Sequence, residues 1–73
     1  MQQVREYTVV LEPDDAGWIV VEVPALPGCV TQGRTRDEAL ANAHEAIGLY
    51  LEALEAEGQT PPQDKVEIVR LAV

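Results

Sequence analysis

A chain of 73 residues with a single Cys has room for one small domain with a thin core, and no internal disulfide can staple it. Apolar residues are 47% of it and charged ones 25%, the balance of a folded globular chain rather than a disordered one. Thirteen acids against five bases give a net charge of −8, which excludes the Lys- and Arg-rich surface that phosphate binding needs and favours a basic partner.

The N-terminus, Met1-Gln2-Gln3-Val4-Arg5-Glu6, has no apolar signal region, and no stretch is apolar for long enough to span a bilayer. A cytoplasmic protein without membrane contact is expected, with residues 1–73 as a single domain. Val4 to Glu12 is rich in β-branched and aromatic residues. Its alternation puts Tyr7, Val9 and Leu11 on one face of a first strand. Pro13-Asp14-Asp15-Ala16-Gly17 supplies turn residues, and Trp18 to Val23 completes a β-hairpin. Ile19, Val21 and Val23 share one face of that second strand; Trp18, Val20 and Glu22 share the other.

Pro24-Ala25-Leu26-Pro27-Gly28 breaks the ladder, because two prolines remove donors and a glycine frees the backbone. Cys29 to Gln32 is a short third strand closed by Gly33. Thr35 followed by Glu38 is a capping box, in which the Thr hydroxyl and the Glu carboxylate satisfy orphan N–H groups at a helix start. The helix is predicted from about Arg36 to about Glu57, ended by Gly58. Leu40, Ala43, Ile47, Tyr50, Leu51 and Leu54 fall in one stripe at helical spacing and form its core face. Pro61-Pro62 marks a linker. Val66 to Leu71 alternates as a last strand. The order β-β-β-α-β defines an α+β domain: three antiparallel strands, one helix on one face, and a fourth strand brought beside the first by a right-handed crossover.

No residue set in this pattern carries catalysis. His44, the only histidine, lacks a second ligand at metal-binding spacing and reads as a helix-flank residue. Cys29 has no neighbouring base and reads as a small buried side chain. The acids lie on the outer sheet face and helix exterior and do not converge on a cleft, as a two-metal nuclease requires. No catalytic, metal or cofactor site is expected. The candidate interface residues are Val10, Trp18 and Val20, on the sheet face opposite the helix, and Leu49, opposite the helix's core stripe.

The segments Pro24-Ala25-Leu26-Pro27-Gly28-Cys29-Val30-Thr31-Gln32-Gly33, Thr35-Arg36-Asp37-Glu38-Ala39 and Asn42-Ala43-His44-Glu45-Ala46 together resemble the HicB antitoxin family. The resemblance runs from about Tyr7 to the last strand and includes the hairpin turn that leads into Gly17-Trp18. It implies a partial ribonuclease-H-like fold without catalytic acids. It also implies a non-enzymatic role: binding and neutralising a small, basic, messenger-RNA-cleaving toxin of HicA type. Many members add a C-terminal DNA-binding domain. This sequence stops at Val73, after the last strand, so direct DNA binding is not expected. HicB-like proteins are commonly dimers or higher oligomers, and a short, unstapled domain with an open sheet is expected to self-associate. The alternatives are a structural or adaptor homo-oligomer without a toxin, and a minimal ribonuclease-H-like nuclease.

Overall fold

The computed structural model describes residues 5–73. Three strands, β1 (Val10–Pro13), β2 (Ile19–Glu22) and β3 (Val30–Gly33), form an antiparallel sheet in the order β1-β2-β3, followed by one helix, α1 (Arg36–Ala56). The α+β class is as expected, with three antiparallel strands and one helix. Within the hairpin turn, the Asp14 carboxylate accepts from the N–H groups of Ala16 and Trp18, both at 2.9 Å, and Gly17 takes a positive φ of 89°. That left-handed backbone is what selects glycine there.

The first strand is shorter than its alternation predicts. Val4 lies outside the described residues, and residues 5–9 are not in the ladder. Continuing the β1-β2 register would set Val9 against Val23 and Thr8 against Pro24, which has no N–H to give. The chain there turns aside instead. Val23 donates to the Cys29 carbonyl, Leu26 to that of Val23 and Cys29 to that of Leu26, each at 3.0 Å. This hook drives Leu26 inward, where it is fully buried beside Val23 and Cys29.

Helix α1 begins at Thr35, whose hydroxyl accepts from the Glu38 N–H at 3.1 Å. The Glu38 carboxylate reaches back to the N–H of Arg34, one residue before the cap. Ala39 and Ala43 are buried against Val21, and the helix can approach this closely because Gly33 carries no side chain. Asn42 donates to the Gln32 carbonyl at 2.8 Å and Tyr50 to that of Pro27 at 3.0 Å, so the helix is tied at two points to β3 and the loop before it. Ile47, Leu51 and Leu54 are half-buried, with the fully buried helix positions being the alanines. Glu57 caps the C-terminus and Gly58 follows at φ 72°.

The predicted fourth strand is not in the sheet. Beyond α1 the chain passes the start of β1, where the Tyr7 hydroxyl donates to the Pro62 carbonyl at 2.6 Å and the Thr8 hydroxyl to Asp64 at 2.7 Å. Residues 65–73 then run on outside any strand, with Ile68, Val69, Leu71 and Val73 exposed. Alternation specifies an extended segment; the edge it joins is set by distant contacts, which no local pattern encodes. This arm lengthens the molecule. Its radius of gyration is 13.7 Å, against about 11 Å for a compact chain of this size.

Candidate functional site

The surface presents three features built from these elements. The first is the outer face of the sheet. Strand register places Val10, Glu22 and Val30 in one row and Glu12, Val20 and Gln32 in the next. Val10, Val20 and Trp18 are half-buried, and Val30 is exposed. The Arg34 guanidinium lies 3.8 Å from the centre of the Trp18 ring, a cation-π stack that roofs part of the indole. Arg34 was legible in principle, since extending the β2-β3 register by one step pairs it with Trp18.

The second is the exterior of α1. Glu38, Glu45 and Glu52 recur at seven-residue spacing and share one exposed line. Leu49 sits one turn from both Glu45 and Glu52, and 60% of its surface is exposed. An apolar knob set among carboxylates is suited to a partner that offers an apolar hollow rimmed by Lys or Arg. All thirteen acids are exposed and no charged or polar side chain is buried among the described residues, so the whole negative charge faces solvent.

The third is a groove. Helix α1 lies over β3 and β2 and not over β1. The space left under the β1 side is an open trough of about 970 Å³, walled by Tyr7 and Val9 from the segment leading into β1 and by Leu40, His44, Ile47 and Leu51 from the helix. His44 is exposed on the helix flank, as its position in the stripe predicts. Cys29 is buried, and burial pushes its thiol pKa up, the reverse of an activated nucleophile. Among the described residues no three His, Cys, Asp or Glu side chains come together in a way that would hold a metal ion. No helix among them is long and apolar enough to cross a membrane.

The expected interface residues are not one patch. Val10, Trp18 and Val20 share the outer sheet face, while Leu49 stands on the helix exterior. The groove was missed by sequence reading. Its signal was the open half of the helix stripe at Leu40, Ile47 and Leu51, which three strands do not cover fully.

The segments singled out in the sequence build the scaffold. Leu26 fills the core, Cys29 lines it, Gly33 admits the helix, Thr35 and Glu38 cap it, and Asn42 anchors it. Comparison with known proteins agrees with that pattern. Residues 7–72 match the family model described as HicB-like antitoxin of bacterial toxin-antitoxin system. A UPF0150 protein of Thermoplasma acidophilum is 50% identical over 62 residues, covering 85% of this chain and 90% of that protein. A UPF0150 protein of Synechocystis sp. is 40% identical over 72 residues, covering 99% of this chain and 91% of that protein. Antitoxin HicB 2 of Photorhabdus laumondii is 43% identical over 47 residues, 64% of this chain and 33% of that protein. No solved structure matches. With the match spanning the hairpin, the hook, the capped helix and the arm, the chain belongs to the HicB-like antitoxin family.

Proposed function

We propose that this chain is a non-enzymatic cytoplasmic inhibitor that binds a small basic toxin of HicA type and blocks its cleavage of messenger RNA. The observation that carries this reading is the surface charge of a member of an antitoxin family: thirteen acids, all exposed. Opposite charge steers encounter and favours one partner over others of like sign. The exterior of α1, with Leu49 between Glu45 and Glu52, is the face assigned to the toxin. The same charge repels nucleic acid, so inhibition works through the protein and not through its substrate. A second copy is the other proposed partner, and the outer sheet face around Val10, Trp18 and Val20 supports self-association.

The test is co-expression with a small basic toxin of HicA type. The tagged chain should retain that protein through purification at low salt. A double charge reversal, Glu45→Lys with Glu52→Lys, should weaken retention at least tenfold while the far-ultraviolet dichroism stays unchanged. Retention that is indifferent to both the reversal and the salt would remove the electrostatic basis of the reading.

A further inference from the structure

We infer that the C-terminal arm is exchanged between two copies of this chain, each arm adding a strand at the open edge of the partner's β1 and filling the partner's groove. This deepens the self-association proposed above by giving it a seat.

The arm is apolar on both faces. Val66 and Ile68 alternate with Val69, Leu71 and Val73, so neither side of an extended strand is suited to water. Apolarity on both faces belongs to a strand covered above and below, not to a solvated tail. Yet Ile68 is 68% and Leu71 81% exposed.

The receptor has the complementary defects. β1 is an edge strand with one row of backbone groups unpaired, a template for another strand. Helix α1 is displaced toward β3, and the trough this leaves beside the lead-in to β1 has an apolar floor of Val9, Leu40, Ile47 and Leu51, with Arg5, His44 and Glu55 also lining it. The dimensions agree. The trough follows α1 from Leu40 to Glu55, about 22 Å at helical rise. An extended Val66–Val73 arm spans about 23 Å. One face of the added strand would enter the trough between Val9 and Ile47, and the other would lie beside Val10 on the outer sheet face.

The occupant we assign is the second copy's arm. Tyr7 and Thr8 hold Pro62 and Asp64 at the entrance to β1, and beyond that tether the chain's own arm leaves the trough open. Reciprocal exchange is closed by a two-fold axis, fills both troughs and requires no residue that the chain lacks. Arg70 and Lys65 would also travel with the arm to an acidic partner surface.

Sedimentation at micromolar concentration should give a species of twice 8.0 kDa. In a mixture of isotope-labelled and unlabelled chains, isotope-filtered NMR should show contacts between the Ile68 and Leu71 methyls of one copy and Val9 and Ile47 of the other. Leu71→Asp should raise the dimer dissociation constant at least tenfold and leave the helical dichroism intact. A species near 8 kDa would overturn both the exchange and the self-association. A dimer whose arm contacts lie within one copy, or only between the two arms, would overturn the exchange and leave self-association standing. So would a dimer indifferent to Leu71→Asp.

Discussion

Adding one carbon to either of two glycines should have opposite effects. At Gly33 an alanine Cβ would lie 2.4 Å from the Ala39 nitrogen, 2.7 Å from its Cα and 2.9 Å from the Glu38 carbonyl carbon. Ordinary carbon contacts are about 3.5–4 Å. All three atoms are backbone, held by the cap at Thr35 and by the Asn42 anchor, so no side chain can swing aside. The helix start must move outward by about 1 Å, which loosens the packing of Ala39 and Ala43 on Val21. Overpacking of this kind costs about 1–3 kcal/mol, and the rigid neighbours place Gly33→Ala at the top of that range, about 3 kcal/mol. A domain of 73 residues has a total stability of about 4–11 kcal/mol.

At Gly48, inside α1, an added Cβ meets nothing within 4 Å. Gly48→Ala should stabilise by up to about 1 kcal/mol through helix propensity. Urea unfolding followed by circular dichroism, at one fixed protein concentration because self-association shifts the midpoint, reads both signs. With a slope of about 1 kcal/mol per molar urea, the two midpoints should separate by several molar around the wild type. A Gly33→Ala protein within about 0.5 kcal/mol of wild type would refute the claim that β3 and α1 meet backbone to backbone.

Leu26→Ala should cost about 2–5 kcal/mol, because Leu26 is fully buried in the hook that joins Val23 to Cys29; thermal unfolding should show a large loss or no folded protein. Thr35→Ala removes the hydroxyl that accepts from Glu38 N–H and should cost about 1 kcal/mol, whereas Thr35→Ser should cost much less. Burial raises the Cys29 pKa in the folded state, so its contribution to stability is complete below the unfolded value of about 8.5 and is lost as pH rises through the higher folded value. Cys29→Ala should therefore lose less stability than wild type as pH rises above that unfolded value, and a thiol reagent should react with wild-type Cys29 only as fast as the chain opens.

Local signals in the sequence carry the fold to the end of the helix. The Asp14-to-Gly17 turn, the two prolines around Leu26, the Thr35 cap and the Gly58 stop each depend on residues within a few positions of one another, and each lies where its chemistry requires. Inward alternation along the predicted second strand, Trp18 to Val23, placed Val21 and Val23 in the core for the same reason. What failed was long-range. Residues 7–9 alternate like a strand but lie opposite a loop with Pro24 in it, and the arm alternates like a strand but has no partner in the sheet. The groove follows from the same cause, since it exists only because α1 leans toward β3, drawn by Gly33, Asn42 and Tyr50. Arg34 over Trp18 depends on register, which becomes readable once the hairpin is fixed.

Inhibition of a toxin by binding is tested most directly by titrating this chain into a purified HicA-type toxin while the toxin cleaves an RNA oligonucleotide. The predicted result is a linear fall in cleavage rate that reaches zero at a fixed molar ratio, with the Glu45→Lys, Glu52→Lys chain needing a large excess. A cleavage rate unchanged by an excess of the wild-type chain would contradict it.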